Sequence, residues 1–206
     1  EWNERRVFIH FGSVTSCMAL WINGMFVGYS EDSKLEAQFD ITPYLRAGEN
    51  LLALKVFRWC DGTYLEDQDF WRLSGIQRSV FLHARPKAYI SDFFAVGDLE
   101  NAYNDGLLKL DVALKNKGAD AQDFVVEASL FNDEEKVYTE SKNVKLSGEQ
   151  TSVTFTKQLP QVKKWTSETP DLYSLVISLK DNFGNNLESV GARIGFRKVE
   201  ILNSQL

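Results

Sequence analysis

The stretch from Asp61 to Arg78, DGTYLEDQDFWRLSGIQR, concentrates the side chains of this sequence that are best suited to binding a sugar. It mixes carboxylates with aromatic rings, namely Asp61, Glu66, Asp67, Asp69, Tyr64, Phe70 and Trp71. Aromatic faces stack on the C–H faces of sugar rings, and carboxylates accept hydrogen bonds from sugar hydroxyls. An ordinary surface loop can have the same composition, with a tight turn at Asp61-Gly62 and solvated charges. Composition alone leaves both interpretations open.

Composition and charge restrict the class of protein and of partner. A chain of 206 residues is long enough for two domains of about 100 residues each. Its 44% of hydrophobic residues indicate globular structure. The net charge of −6 and the pI near 5.1 argue against a nucleic acid or an anionic membrane as partner, since such binders normally display basic surfaces. We therefore expect no nucleic acid and no membrane.

The few cysteines and histidines favour neither a disulfide framework nor a transition-metal site. Cys17 and Cys60 are the two cysteines, which excludes a four-cysteine metal site and leaves one bridge between them open. His10 and His83 lie far apart in separate strand-like runs, without the spacing of a zinc protease motif.

The first part of the chain reads as short strands joined by turns. Asn23-Gly24 between two apolar runs predicts a β-hairpin with a type I′ turn. The run from Leu51 to Trp59 is apolar on both faces apart from two basic residues, which predicts the central strand of a sandwich. Pro86, flanked by Arg85 and Lys87, predicts a domain boundary, with domains at 1–86 and 87–206.

Beyond Pro86 the pattern changes to alternation of apolar and polar residues. The apolar positions are Leu108, Leu110, Val112, Leu114, then Phe124, Val126, Ala128, Leu130, then Val153, Phe155, then Tyr173, Leu175, Ile177, Leu179. Turn signals such as Ser147-Gly148 separate these runs. About seven short strands predict an immunoglobulin-like sandwich. The fold class is therefore all-β, with two consecutive β-sandwiches.

Several segments resemble β-galactosidases of glycoside hydrolase family two. WINGMFVGYSEDS, FDITPYLRAGENLLALKVFRW and DGTYLEDQDFWRLSGIQRSVFL are similar to the family's sugar-binding domain, and KWTSETPDLYSLVISL with GARIGFRKVEI to its immunoglobulin-like second domain. The resemblance implies a partial, galactose-binding-like jelly roll followed by an immunoglobulin-like sandwich. The YLEDQDFWR segment favours β-galactosidases over β-glucuronidases, which share the general layout.

The resemblance also implies a function for the parent protein and an inactive role for this chain alone. The family hydrolyses terminal β-D-galactosyl residues with retention, using two glutamates of a C-terminal catalytic barrel, and retention requires two carboxyl groups about 5 Å apart. The sequence stops at Leu206, where the barrel would begin, so no catalytic residue is expected here. Glu66 and Asp69 could be proposed as such a pair, but a flexible surface loop seldom tunes carboxylates for acid–base work.

The one site residue that the resemblance transfers is Asp69. In the family, the aspartate of the QDFW motif contacts galactose hydroxyls and helps to ligate sodium, and the remaining ligands lie in the barrel. Sodium and magnesium are cofactors of the parent by resemblance, and neither is expected to bind tightly to this chain alone. Arg72 and Arg78 are expected to pair with Glu66 or Asp67, and Trp71 to pack beneath the loop.

Missing N-terminal segments are a further expectation. The chain begins without methionine, and the family places a substrate-contacting asparagine and the first jelly-roll strands upstream of Glu1. A jelly roll without those strands would expose backbone and apolar surface. The parent is expected to be a homo-oligomer, in a cytoplasmic or periplasmic compartment that the sequence leaves undetermined.

Two other functions remain open. A stand-alone carbohydrate-binding module would present Tyr64, Phe70 and Trp71 to solvent and bind sugar directly. A structural pair of adhesion-type sandwiches would bind none.

Overall fold

The computed structural model describes residue 2 and residues 4–66, 68–69, 71–118, 122–146 and 150–201. Asp67, Phe70, Ser147, Gly148 and Leu206 lie outside the described residues. The chain divides into two compact units, Glu1–Arg85 (unit 1) and Pro86–Leu206 (unit 2). Both are built from β-sheets, which confirms the all-β fold class. No helix within the described ranges is long and apolar enough to cross a membrane.

Unit 1 is made of short strands and two single-turn helices. The strands are β1 (Arg6–Phe11), β2 (Val14–Thr15), β3 (Cys17–Ile22), β4 (Met25–Ser30), β5 (Ala37–Asp40), β6 (Leu52–Phe57), β7 (Gly75–Ile76) and β8 (Val80–Arg85). A 3-10 helix covers Thr42–Tyr44, and α1 covers Gly62–Leu65. The strands form sheets of order β5-β1-β8, β4-β3-β6 and β2-β7. Their apolar faces enclose a core of Val7, Ile9, Phe11, Val14, Met18, Leu20, Ile22 and Ile41.

The predicted hairpin at Asn23-Gly24 is confirmed. Strands β3 and β4 pair in antiparallel register, with Ile22 opposite Met25. Asn23 and Gly24 have φ values of 53° and 82°, the positive values that a type I′ turn requires at both central positions. The Asn23 amide also donates to the Tyr44 carbonyl at 2.9 Å, which ties the hairpin tip to the 3-10 helix.

Strand β6 departs from the prediction of a central strand. It lies at the edge of the sheet β4-β3-β6, and among the described strands only β3 pairs with it. Apolar side chains of β6 are therefore exposed, with Leu52 at 43% and Phe57 at 38%. Strand β8 is an edge strand of its own sheet, and Val80, Phe81 and Leu82 are exposed as well. Unit 1 thus presents two apolar edge strands.

Unit 2 has longer strands in two packed sheets. The strands are β9 (Ala88–Glu100), β10 (Asp105–Asn116), β11 (Gln122–Asn132), β12 (Glu135–Leu146), β13 (Thr151–Leu159), β14 (Tyr173–Asp181) and β15 (Asn186–Ile194). They form sheets of order β13-β10-β9 and β12-β11-β14-β15, all antiparallel. The predicted alternation is confirmed, because the apolar positions of β10, β11, β13 and β14 are buried in one core. These seven described strands form the immunoglobulin-like sandwich.

Candidate functional site

The acidic loop begins with the predicted tight turn at Asp61-Gly62, which the Thr63 N–H closes by donating to the Cys60 carbonyl at 3.2 Å, and the turn continues into α1. The Tyr64 N–H donates to the Asp61 carbonyl at 3.1 Å, and the Glu66 N–H donates to the Gly62 carbonyl at 2.9 Å. The Gly62 N–H donates to Glu31 Oε1 at 2.7 Å. A Cβ at Gly62 would lie 3.0 Å from Glu31 Oε1 and Cγ. Glycine at this position therefore permits the close approach of Glu31 to α1.

A buried hydroxyl network anchors α1 to the start of β3. Thr63 is buried, and its hydroxyl donates to Ser16 Oγ at 2.9 Å and accepts from the Cys60 N–H at 3.1 Å. Ser16 Oγ in turn donates to the Arg58 carbonyl at 2.8 Å. Buried polar groups that satisfy one another in this way hold a segment in one position, since breaking a bond would leave a partner unpaired.

Glu66 has a structural contact in this arrangement. Its Oε1 accepts a hydrogen bond from the Ser33 N–H at 2.9 Å. The Ser33 carbonyl accepts from the buried Ser13 hydroxyl at 2.7 Å. Glu66 therefore links the end of α1 to the segment that follows β4, a contact between residues 33 positions apart in the sequence.

The two arginines of the loop bind backbone carbonyls. Arg72 Nη1 donates to the Thr63 carbonyl at 3.2 Å, and the Arg72 carbonyl accepts from Arg58 Nη2 at 3.2 Å. Arg78 Nη1 donates to the carbonyls of Lys34 at 2.9 Å and Gly12 at 3.4 Å. For Arg78 the predicted ion pair with Glu66 is wrong, because the loop folds back along β2 and brings carbonyls within reach. Asp67, the other predicted acidic partner, lies outside the described residues.

A cavity of about 260 Å³ lies beside this loop. Its lining includes the aromatic rings of Trp59 and Trp71, together with Arg58, Asp32 and Glu66. Trp71 is 89% exposed, so the prediction that it packs beneath the loop is wrong. Aromatic faces beside charged hydrogen-bonding groups are the chemistry expected of a sugar site. Tyr64, on α1, is also solvent-facing.

Asp69 is exposed and is not among the residues that line the cavity. Its neighbours Asp67 and Phe70 lie outside the described residues. A hard cation such as sodium requires several oxygen ligands, and Asp69 offers the oxygens of one carboxylate. Asp69 could thus form part of a sodium site whose other ligands come from elsewhere.

Glu31 lies next to the acidic loop, and the sequence pattern did not predict this. Its carboxylate accepts hydrogen bonds from the Tyr29 hydroxyl at 2.7 Å and from Gly62, and it has ligand atoms within 4.8 Å of those of Cys60 and Asp61. Hydrogen bonding, first to Asp61 and then to the Gly62 N–H, lowers the pKa of Glu31 to about 2. The SEDS segment after the hairpin was a signal for this residue, since it lies within a segment that carries the family resemblance.

Two family models cover most of the chain. Residues 1–86 match the model of the glycosyl hydrolases family 2 sugar binding domain, and residues 88–197 match the model described as glycosyl hydrolases family 2. The chain belongs to glycosyl hydrolase family 2. The resemblance found in the sequence is therefore confirmed.

Curated relatives match along nearly the whole chain but are much longer. A β-galactosidase of Priestia megaterium is 43% identical over 98% of this chain, and a β-galactosidase of Vibrio vulnificus YJ016 is 45% identical over 99%. In both cases the match covers 20% of the relative. The chain thus spans about a fifth of the length of these β-galactosidases.

Solved structures agree on the fold. A β-glucuronidase of Bacteroides uniformis superposes with a TM-score of 0.90 at 22% identity, over 96% of this chain and 25% of that structure. A putative β-galactosidase of Bacteroides fragilis gives a TM-score of 0.89 at 22% identity, over 98% of this chain and 32% of that structure. At such identities the likeness shows the fold alone, and it is shared by enzymes named for two different sugars.

Proposed function

We propose that this chain is the non-catalytic N-terminal part of a β-galactosidase that hydrolyses terminal β-D-galactosyl residues with retention. The observation that carries the proposal is the match to relatives named β-galactosidase along 98–99% of the chain, at a fifth of their length. In this proposal residues 1–86 are the sugar-binding domain and residues 87–206 the immunoglobulin-like domain. The two glutamates that perform hydrolysis belong to a barrel that follows them.

Asp69 is the residue of this chain that we assign to the substrate site. An exposed carboxylate on a loop anchored through Thr63 and Glu66 can reach a surface presented by another domain. There it would accept hydrogen bonds from galactose hydroxyls and supply one ligand to sodium, and the ion would hold a sugar hydroxyl in place. Magnesium would be held by residues outside this chain.

The environments of Glu66 and Asp69 do not favour these two residues as a catalytic pair. Retaining hydrolysis needs two carboxyl groups about 5 Å apart in a site that excludes water. Glu66 is occupied by the Ser33 N–H, and Asp69 is exposed. In this proposal Glu66 anchors the loop, Asp69 contacts the substrate, and neither residue acts as an acid or a nucleophile.

The apolar edges of unit 1 support a role inside a larger protein. Strands β6 and β8 expose Phe57, Phe81 and Leu82, and the loop exposes Trp71. Exposed apolar surface of this extent is typical of surfaces that other protein segments cover. We propose that the rest of the β-galactosidase covers it and that the whole enzyme is a homo-oligomer.

The test compares two lengths of the same protein on a chromogenic β-galactoside. The reading frame should continue past Leu206 into a barrel with two glutamates, and the longer product should turn the substrate over. The 206-residue chain should show none above buffer. Measurable turnover by the 206-residue chain would overturn the proposal.

A stand-alone carbohydrate-binding module is the second candidate, and the exposure of Tyr64 and Trp71 favours it. Both rings are free to stack on a sugar, with exposures of 79% and 89%. Calorimetric titration of the 206-residue chain with galactose distinguishes the two candidates. Dissociation constants of about 1 mM or tighter would support the module, whereas weaker binding supports a site completed by the barrel.

A further inference from the structure

The tip of the β3–β4 hairpin carries the only Asn-Gly pair of the sequence, Asn23-Gly24. Such a pair can lose ammonia without an enzyme, because glycine has no side chain to obstruct the approach of its backbone nitrogen to the asparagine amide. Gly24 is exposed, and a Cβ placed on it would meet no atom within 4 Å. Water and hydroxide therefore have access to the backbone nitrogen of Gly24.

The side chain of Asn23 is held at both ends of its amide group. Its Nδ2 donates to the Tyr44 carbonyl at 2.9 Å and to Asn50 Oδ1 at 2.8 Å. Its Oδ1 accepts from the Leu51 N–H at 3.0 Å, and the Asn23 N–H donates to the Leu51 carbonyl at 2.8 Å. While these contacts persist, the amide carbon of Asn23 cannot turn toward the Gly24 nitrogen.

The one side chain among these partners, Asn50, is fixed by its own loop. Asn50 Oδ1 also accepts from the Arg46 N–H at 2.9 Å. Asn50 Nδ2 donates to the carbonyls of Arg46 at 2.9 Å and Gly48 at 3.0 Å. The oxygen that faces Asn23 is therefore held in position by residues 46–50, which lie 27 positions along the chain at Asn50.

We propose that Asn23 is a deamidation site, which the fold of unit 1 protects through Asn50 and which reacts when the hairpin tip separates from residues 46–50. The deprotonated backbone nitrogen of Gly24 attacks Cγ of Asn23, and a C–N bond forms. The bond from Cγ to Nδ2 then breaks, and Nδ2 leaves as ammonia after taking up a proton. Water opens the resulting cyclic imide at either carbonyl, which gives aspartate or isoaspartate, so one amide and one water become one carboxylate and one ammonium ion.

The product cannot restore the protected arrangement. Aspartate at this position has an oxygen where Nδ2 stood, and that oxygen would face the Tyr44 carbonyl and Asn50 Oδ1, which are both acceptors. Leaving acceptors without a donor is unfavourable. Isoaspartate also lengthens the main chain of a two-residue turn, which disturbs the pairing of Ile22 with Met25. The reaction therefore detaches the hairpin tip from residues 46–50 irreversibly.

The test incubates the 206-residue chain at mildly alkaline pH, folded in buffer and unfolded in urea, and follows Asn23 by peptide mapping with mass spectrometry. In the unfolded chain Asn23 should deamidate before the other asparagines, because none of them precedes glycine. In the folded chain its reaction should be slower by about tenfold or more, because the hairpin tip must open first. Equal rates in the folded and the unfolded chain would overturn the proposal.

Two variants of Asn50 form a matched pair for the source of the protection. Asn50→Ala removes the oxygen that faces Asn23 and should speed deamidation in the folded chain by about fivefold. Asn50→Asp keeps an acceptor for Asn23 Nδ2 while losing the bonds to Arg46 and Gly48, and should stay within about twofold of wild type. Circular dichroism checks the fold of both variants, and the comparison of folded with unfolded wild type needs neither. A wild-type rate in Asn50→Ala, or equal acceleration by both substitutions, would contradict the role of Asn50.

Discussion

In unit 2 the strands alternate buried and exposed residues along most of their length, whereas in unit 1 two strands carry apolar residues that stay exposed. Leu108, Leu110, Val112 and Leu114 of β10 are all buried at 0% exposure. Phe81 and Leu82, adjacent residues of β8, are 48% and 49% exposed. The sheets of unit 2 bury the apolar positions of its alternating pattern. In unit 1, the apolar residues Phe81 and Leu82 of β8 stay half exposed.

This difference matters for function as well as for stability. Unit 2 buries the apolar faces of its sheets in its own core. Unit 1 has a small core and an acidic, aromatic loop anchored by few but specific hydrogen bonds. Its exposed rings and Asp69 are available to a partner surface, which is the arrangement that the proposed shared site requires.

Truncation of core leucines should give the largest contrast between the units. Leu110→Ala should lower the free energy of unfolding by about 3 kcal/mol, because it leaves a cavity in a closely packed core. Leu82→Ala, at a half-exposed position, should cost about 1 kcal/mol or less. Urea unfolding followed by circular dichroism measures both, and equal losses would show that β8 is already covered in the 206-residue chain.

Removal of a tyrosine hydroxyl should give a smaller contrast. In unit 2 the buried Tyr173 hydroxyl accepts from the Lys163 N–H at 2.9 Å, so Tyr173→Phe should cost about 1 kcal/mol. Tyr64→Phe in unit 1 is the matched control and should change stability by less than about 0.5 kcal/mol, because Tyr64 faces solvent. A larger effect at Tyr64 would indicate that its hydroxyl has a hydrogen-bond partner in the folded chain.

The smallest effects should come from two carboxylates and should depend on pH. A hydrogen bond from Lys180 lowers the pKa of Glu127, and the backbone N–H groups of Leu35 and Lys34 lower the pKa of Asp32. A lowered folded-state pKa adds stability above the ordinary value, and that stability is lost as the pH falls through the folded-state pKa. Both Glu127→Gln and Asp32→Asn should therefore lower Tm by about 1–3 °C at pH 7, and the gap to wild type should close below about pH 4.

The effects of the two substitutions on Tm should differ in their dependence on salt. Lys180 Nζ lies 2.9 Å from Glu127 Oε2, so 1 M sodium chloride should shrink the effect of Glu127→Gln. Asp32 Oδ1 accepts from two backbone N–H groups at 2.8 Å, and salt should leave its effect almost unchanged. A Tm gap that widens at acid pH would contradict the assignment for either residue.

Local patterns were sufficient where backbone geometry or burial is decided by neighbours in sequence. Asn23-Gly24 predicted its hairpin because both residues accept positive φ, and the alternation in β10 predicted its buried face. The apolar pattern of β6 predicted a central strand, but β6 lies at the edge of its sheet. An apolar pattern indicates that a strand tends to be buried, but it does not say which segments cover the strand.

Individual contacts of the acidic loop could not be predicted from local sequence patterns either. Thr63 and Ser16 are 47 positions apart, and Glu66 meets Ser33 across 33 positions, so no local pattern could predict either contact. Trp71 was expected to pack beneath the loop because large aromatic residues are usually buried, yet it is exposed. What could be predicted for Asp69 came from the family resemblance, and its role remains a proposal.

The contribution of Asp69 to the substrate site can be measured with Asp69→Asn in the longer protein that contains the catalytic barrel. We expect kcat/KM for a chromogenic β-galactoside to fall by about tenfold or more and the response to sodium to change, because the carboxylate would contact both substrate and ion. Glu66→Gln is the matched control and should leave the sodium response unchanged. Wild-type kinetics and an unaltered sodium response in Asp69→Asn would contradict the claim that unit 1 lends a carboxylate to the site.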